Sequence, residues 1–248
     1  MPREPRAKSV VKQKQGDTLT RNIVIGMVAL VVLSGVIFTL TSKKTSSNVE
    51  LPTAITQIDS SKNGEALIGT VEPTNDYGIV FNKELAKPQI DIWEDFQCPF
   101  CNIFEKAMSS YIEDVIRKKE AKVVFHMASF IGADSVRAAN AANCAVAEGR
   151  FIEYHRALYQ IQGAENAGIY RNENLVEVGK RLGISNPTFE SCVNEGKYTG
   201  VVKNVANSMG KNNVNGTPTV FINGKLWERS GNDFKVDEFK AAVDAAKQ

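Results

Sequence analysis

Two short stretches decide the fold of this chain: Cys98-Pro99-Phe100-Cys101 and, far downstream, Gly216-Thr217-Pro218-Thr219. Residues 89–93 before the first stretch read as a strand, and residues 101–118 after it carry apolar side chains at helical spacing. The cysteines therefore flank the dipeptide Pro99-Phe100 on the first turn of a helix, where proline is tolerated. The helix N-terminus is expected to favour the thiolate of Cys98, the sulfur predicted to be exposed, and thiolates are the attacking species in disulfide exchange.

Two cysteines with two residues between them can also bind zinc, so a metal site is the competing interpretation. A tetrahedral site needs two more ligands at suitable spacing, and Cys144, Cys192, His126 and His155 stand at isolated positions. The spacing therefore favours a redox-active disulfide, Cys98–Cys101, with no metal and no other cofactor. His126 lies in a strand pattern and His155 on an aromatic helix face, so we assign neither a catalytic role.

The downstream stretch reads as a turn that leads into an apolar strand, residues 219–222, and Asn223-Gly224 then signals a hairpin. A proline at the start of a strand can leave its neighbour's backbone unpaired. A cis Thr217–Pro218 bond would present that backbone to a peptide, whereas a trans proline at a sheet edge is the alternative. Together with the two cysteines, the stretch favours the cis form.

At this point the chain resembles a known family. Residues 95–101 (DFQCPFC) and 216–224 (GTPTVFING) are similar to the signature stretches of DsbA-like proteins, and residues 138–145 and 151–159 resemble the helical insertion of their membrane-anchored bacterial branch. The resemblance spans roughly residues 77–247 and implies an α/β thioredoxin fold with an inserted helical subdomain. It also implies that Cys98 is the nucleophile, Cys101 the resolving cysteine, and Thr217–Pro218 the cis-proline pair that faces their disulfide.

Two positions depart from the family pattern. Family members often carry a buried acid six residues before the first cysteine, and here that position is Ile92. Glu94 shares the strand parity of Ile92, so it is the best candidate for a substitute proton acceptor. Phe100 stands where many members have a histidine, and it withholds a hydrogen-bond donor from the Cys98 thiolate, which favours a less oxidising pair.

The N-terminal quarter of the chain has a different character from the rest. Basic residues outnumber acidic ones before an uncharged apolar run at Ile23 to Leu40, which is long enough to cross a bilayer. We therefore predict a cytoplasmic basic tail (1–22), a transmembrane anchor (23–41), a flexible stalk (42–76) and the thioredoxin domain (77–248), with its helical insertion at about 132–210. A cleaved signal peptide is the alternative to the anchor.

Within the domain, residues 78–81 read as a short edge strand. Cys144 and Cys192 fall on separate helices of the insertion. In an oxidising compartment two such cysteines are expected to form a structural disulfide, the alternative being two buried thiols. The net charge of +2 gives no case for a nucleic-acid partner.

These observations lead to an expected activity: an extracytoplasmic oxidoreductase, tethered to the cell membrane by one N-terminal helix, that introduces disulfides into unfolded or reduced exported proteins. The family resemblance implies reoxidation by a membrane quinone-linked enzyme. Two alternatives stay open. One is a disulfide reductase or isomerase of the same fold, and the other is a redox-inert module that binds unfolded exported proteins.

Overall fold

Two parallel strands at the centre of a mixed sheet support the CxxC stretch. The computed structural model describes residues 52–60 and 64–247. Its strands are β1 Thr70–Glu72, β2 Gly78–Phe81, β3 Gln89–Glu94, β4 Lys122–Met127, β5 Thr219–Ile222 and β6 Lys225–Leu226. Their order is β1-β2-β4-β3-β5-β6, in which β3 and β4 run parallel and every other pair is antiparallel. The central strands are rich in buried apolar residues because helices cover them.

Helices precede, interrupt and follow this sheet. They are α1 Thr53–Thr56, α2 Pro99–Arg117, α3 Ala133–Ala147, α4 Phe151–Gln160, α5 Asn172–Arg181, α6 Pro187–Glu195, α7 Thr199–Ser208 and α8 Val236–Ala245. The long helix α2 buries Phe104, Met108 and Ile112 at helical spacing and packs against β4, α4 and α8. The chain thus leaves β3 and enters α2 at Cys98, as the sequence predicts.

The helices α3 to α7 lie between β4 and β5 in the chain and form the inserted subdomain. Its centre is α3, which packs against the other four helices. Ala138, Ala139, Ala141 and Ala142 are all completely buried on α3. Small side chains at these contacts allow the neighbouring helices to approach closely, since interaxial distance depends on side-chain size.

The sheet begins earlier in the chain than the sequence indicated. We predicted a flexible stalk over 42–76 and an edge strand at residues 78–81. Instead, β1 pairs with β2 in the register Thr70 to Val80, and all four residues of β2 are buried. Ile55 of α1 is also completely buried in the main core. Ile58, Leu67 and Val71 of the predicted stalk pack against the same core, which a local polarity argument does not detect.

The predicted basic tail and transmembrane anchor lie outside the described residues, as does the first part of the predicted stalk. Within 52–60 and 64–247, the structure has no helix that combines the length and the apolar character needed to cross a bilayer. The anchor at 23–41 stays a prediction.

A disulfide between Cys144 of α3 and Cys192 of α6 ties two helices of the insertion together, with an S–S distance of 2.08 Å. Both cysteines are buried within the main core. This is the pairing expected for an oxidising compartment.

Replacing both cysteines, Cys144→Ala with Cys192→Ala, should lower the free energy of unfolding by about 4 kcal/mol in the chain-entropy account, since the bridge spans 48 residues. Urea unfolding measures the change, with Cys98→Ser and Cys101→Ser present in both proteins so that only one disulfide differs. Recovery of unlinked Cys144 and Cys192 peptides from alkylated, unreduced protein would show that the bridge does not form.

Candidate active site

Cys98 caps the N-terminus of α2, with φ −70° and ψ 117°, and Pro99 occupies the first helical position. The backbone N–H of Cys98 donates to the carbonyl of Asp95, while the N–H groups of Cys101 and Asn102 donate to the carbonyl of Cys98. Proline fits here because its missing N–H would have had no partner within the helix. Cys98 and Cys101 are both free thiols, so the structure describes the reduced pair.

The second signature stretch faces this helix N-terminus. The Thr217–Pro218 peptide bond is cis, and the Cys98 thiol donates to the Thr217 carbonyl across 3.3 Å. Pairing of Thr219 in β5 with Trp93 in β3 holds the stretch in place. The Thr217 hydroxyl is buried and has no hydrogen-bond partner among the residues described. Two motifs 119 residues apart therefore form one site, with a backbone carbonyl and a spare hydroxyl beside the sulfur.

The two thiols differ in how readily they ionise. A hydrogen bond from the Cys101 thiol is the main cause that lowers the pKa of Cys98 to about 6, while burial opposes the shift. The nearby Thr217 hydroxyl, free to turn towards the sulfur, and backbone N–H groups of the helix N-terminus lower it further. Burial raises the pKa of Cys101 well above its usual value, and its hydrogen bond to Cys98 and the charge of Glu94 raise it further. Cys98 is therefore the thiolate, and Cys101 keeps its proton.

Accessibility separates the thiols less than the sequence suggested. Cys98 was expected to be exposed, but it is only 7% exposed, against 0% for Cys101. The Thr217 carbonyl lies 3.3 Å from the Cys98 sulfur, a contact from 119 residues away that the local strand-to-helix pattern does not include. Ionisation, more than exposure, therefore sets the difference in reactivity.

Glu94 is completely buried at the end of β3. Its Oε2 lies 3.1 Å from Nε2 of His155, whose Nδ1 lies 3.5 Å from Oε2 of Glu105. Burial raises the pKa of Glu94 well above the usual value for a carboxyl group. Ile92, in the position where relatives often have an acid, is also completely buried. Strand parity predicts Glu94, whereas Glu105 was not predicted, although it stands one helical turn after Cys101.

Asp95 anchors the turn between β3 and α2. One carboxylate oxygen accepts hydrogen bonds from the Gln97 N–H at 2.9 Å and the Ser135 hydroxyl at 2.6 Å. The other accepts from the N–H groups of Phe130 and Ile131, at 3.0 and 3.2 Å. This carboxylate thus binds the turn to α3 and to the loop before it.

The carbonyl groups of the same turn also have partners from the insertion. The Gln162 amide donates to the Phe96 carbonyl at 2.6 Å and to the Cys98 carbonyl at 3.0 Å. The Tyr170 hydroxyl donates to the Phe96 carbonyl as well, at 3.1 Å. The insertion therefore does more than enlarge the domain, because the loop between α4 and α5 fixes the backbone that leads into the catalytic helix.

A groove of about 270 Å³ lies beside the cis proline. Its lining includes Phe100, Pro218, Leu226 and Trp227. Phe100 and Leu226 are 59% and 53% exposed, and both line this one groove. An apolar surface is thus open to solvent beside Thr217, whose carbonyl contacts the Cys98 sulfur.

Alkylation of the reduced protein should follow the ionisation of Cys98. We expect the iodoacetamide rate to rise through a midpoint near pH 6 and to level off above it, because the thiolate is the reactive form. Cys98→Ser is the control, and its remaining thiol, Cys101, should react slowly at neutral pH. A midpoint near the ordinary cysteine value of about 8.5 would contradict the assignment.

The anchoring role of Asp95 predicts a graded effect on stability. Asp95→Ala leaves buried donors without an acceptor and should lower the free energy of unfolding by roughly 3 kcal/mol, whereas Ser135→Ala removes one donor and should cost about 1 kcal/mol. Urea unfolding of the oxidised proteins gives both values. An equal decrease in the free energy of unfolding for the two variants would show that the Asp95 carboxylate contributes no more than its single hydrogen bond to Ser135.

Comparisons with known proteins agree with this geometry. A model of the family described as Thioredoxin matches residues 74–245. The structure is similar to the reduced form of the disulfide bond oxidoreductase DsbG from Mycobacterium tuberculosis, with TM-score 0.56 and 28% identity, covering 64% of this chain and 77% of that one. It is also similar to reduced DsbA from Mycobacterium tuberculosis, with TM-score 0.56 and 26% identity, covering 67% and 86%.

Among curated proteins, the serine/threonine-protein kinase PknE of Mycobacterium tuberculosis is 26% identical over 160 residues, which is 58% of this chain. The match spans only 28% of the kinase, so most of the kinase lies outside the region that it shares with this chain. The family match covers more than half of the present chain, from residue 74 to residue 245. The chain therefore belongs to the thioredoxin family, within which it is similar to DsbA-type and DsbG-type disulfide oxidoreductases.

Proposed function

We propose that this protein is a thiol-disulfide oxidoreductase that passes the Cys98–Cys101 disulfide to reduced or unfolded exported proteins. One observation carries the proposal: the cysteines form an unequal pair at a helix N-terminus, opposite the cis Thr217–Pro218 bond. The pKa of Cys98 is lowered to about 6 and that of Cys101 is raised. A structural disulfide has no need of such inequality, whereas exchange chemistry requires one stable thiolate.

The reaction follows from the positions of the two sulfurs. A substrate thiolate attacks the Cys98 sulfur, a mixed disulfide forms, and the Cys98–Cys101 bond breaks with Cys101 leaving. Cys101 then takes up a proton, for which buried Glu94 is the proposed donor in this direction and acceptor in the reverse. A second substrate thiolate attacks the substrate sulfur of the mixed disulfide, and Cys98 leaves readily because its pKa is low.

The apolar groove beside Pro218 suits an unfolded chain as substrate. Exposed Phe100 and Leu226 offer contacts that an extended apolar segment would bury, and the Thr217 carbonyl lies 3.3 Å from the attacked sulfur. Folded proteins keep such segments inside. The groove therefore favours reduced, unfolded substrates over small thiols.

Stabilisation of the Cys98 thiolate favours the reduced enzyme and so the donation of disulfides. The Cys98 thiolate is stabilised only to a moderate degree, so reduction of substrate disulfides is the second candidate function. A pKa of about 6 for Cys98 lies nearer to the value of about 7 in thioredoxin than to about 3.5 in DsbA. Phe100 offers no side-chain donor to the thiolate. A reductase or isomerase of the same fold would use the same residues, with electrons supplied by a membrane partner.

The cellular setting of the proposal rests on the sequence. The apolar run at 23–41 would tether the domain on the outer face of the cell membrane, with the N-terminus in the cytoplasm. A tether raises the effective concentration of the domain near a membrane-embedded partner. The proposed partner is a quinone-linked enzyme that reoxidises Cys98 and Cys101, and their disulfide is the only redox group invoked.

The full chain in detergent tests the proposal by oxidation of a reduced, unfolded protein. Cys98→Ser should abolish activity because the attacked sulfur is gone, and Cys101→Ser should abolish it too because no active-site disulfide can form. Mixed instead with a substrate that already carries a disulfide, Cys101→Ser should accumulate a mixed disulfide, because the Cys98 thiolate attacks the substrate bond and no second active-site thiol is present to resolve it. The Cys144→Ala, Cys192→Ala variant is the matched control and should keep the exchange step.

Full activity of Cys98→Ser would overturn the proposed function. Similar, ordinary alkylation rates for Cys98 and Cys101, together with retention of unfolded protein by the inactive chain, would instead support a redox-inert binding module.

A further inference from the structure

Exchange at Cys98 leaves a proton to be delivered to a sulfur that solvent does not reach. Cys101 is 0% exposed and stands on the inner side of the pair. Behind it, Glu94, Glu105 and His155 place their ligating atoms within 4.8 Å of one another, and none is more than 5% exposed. Of these three groups, only Glu94 takes part in the proposed exchange steps.

The cluster connects inward to the sulfur and outward to the surface. Glu94 lies close enough to Cys101 for its charge, when it is ionised, to raise the pKa of the thiol, and its buried Oε1 has no hydrogen-bond partner among the described residues. On the far side, Glu105 and His155 line a cavity of about 20 Å³, large enough for one water molecule. Glu113 and Arg156 form its outer wall, 3.2 Å apart, with side chains 18% and 14% exposed. Solvent thus lies one small cavity away from the cluster.

We propose that Glu105 and His155 form a proton relay that links Glu94, and through it Cys101, to solvent on the side of α2 and α4. The inference rests on the proposed function, which it deepens. Glu105 and His155 do not touch the sulfurs, so they are positioning residues that act through Glu94.

The atoms allow a balanced transfer. When the Cys98–Cys101 bond breaks, the Cys101 thiolate takes the proton of Glu94, and Glu94 becomes a carboxylate. His155 gives its Nε2 proton to Oε2 of Glu94 across 3.1 Å, and its Nδ1 receives the proton of Glu105 across 3.5 Å. The imidazole ends neutral, as it began. Glu105 regains its proton from water, so one proton moves from solvent to Cys101 and each group of the cluster keeps its charge. His155 is left with its proton on Nδ1 instead of Nε2, and the reverse transfer, when Cys101 loses its proton on reoxidation, restores the first tautomer.

Protonation states at neutral pH suit this sequence. Burial is the main cause that raises the pKa of Glu94 well above its usual range and that of Glu105 to about 8, and burial lowers the pKa of His155. Both carboxyl groups therefore hold protons while the imidazole is neutral. One oxygen of each carboxyl group has no hydrogen-bond partner among the described residues, which is costly for a purely structural cluster.

Other titratable and charged groups face the cluster formed by Glu94, Glu105 and His155. They are Cys98 and Cys101 at the start of α2, Glu113 further along α2, and Arg156 and Tyr159 on α4. In the oxidised chain Cys98 and Cys101 are joined and do not titrate, and in the reduced chain the pKa of Cys98, about 6, lies below that of Glu105, about 8.

The test is the rate at which dithiothreitol reduces the oxidised full chain between pH 6 and 9, divided by the concentration of dithiothreitol thiolate. In the wild type this rate should fall as the pH rises through about 8, because Glu105 then loses the proton it supplies. Glu105→Gln should lower the rate at pH 7 by at least about tenfold and abolish the fall near pH 8. Glu105→Asp should restore most of both.

Two buried residues elsewhere supply matched controls. Glu153→Gln removes a carboxylate that is 3% exposed but lies outside the cluster, and His126→Gln removes a histidine that is 3% exposed and stacks on Trp93. Both should keep the wild-type pH profile, whereas His155→Gln should resemble Glu105→Gln. The alkylation midpoint of Cys98 should stay near pH 6 in every variant, which separates a lost relay from a disturbed active-site turn.

The relay is overturned if the wild type shows no fall near pH 8, if Glu105→Gln keeps it, or if the controls lose it too. The first of these outcomes needs no variant, so a misfolded substitution does not leave the proposal without a test. If the wild type fails to exchange with dithiothreitol at all, the proposed function is wrong. If it exchanges and Glu105→Gln behaves like the wild type, only the relay is wrong.

Discussion

The short turn from Asp95 to Cys98 has to end a buried strand and begin a helix within four residues, and the chemistry depends on how firmly it is held. Hydrogen bonds from the insertion and from the loop before it occupy the Asp95 carboxylate and the carbonyl groups of Phe96 and Cys98. With the backbone fixed, the N–H groups of the helix N-terminus point at the sulfur, as thiolate stabilisation requires. The inserted helices are therefore part of the active site.

Burial makes the two sides of the site chemically different. On one side, Cys98 lies beneath the Thr217 carbonyl and next to exposed Phe100, where a substrate chain would arrive. On the other, Cys101 and Glu94 are both completely buried, and burial disfavours the ionised form of each. Electrons are exchanged on the outer side, and we propose that protons move on the inner side.

Sequence reasoning identified the parts of the site that are local or marked by rare residues. The two cysteines, the Thr217–Pro218 pair and the parity of Glu94 can be read from spacing, and the structure brings them together. The sequence does not reveal the four donors to Asp95 or the contact between Glu105 and His155, because these contacts join segments that share no sequence pattern. Likewise β1 carries too little hydrophobic signal by itself, since its place in the sheet depends on pairing with β2.

The reduction potential of the Cys98–Cys101 pair tests the central claim most directly, by equilibration of the full chain with glutathione buffers. A stabilised Cys98 thiolate makes the disulfide a ready donor, so the account predicts a value nearer to about −120 mV than to −270 mV. A value near or below about −270 mV would mean that the disulfide is not readily given up. The protein would then be a reductase, or the bridge would be structural.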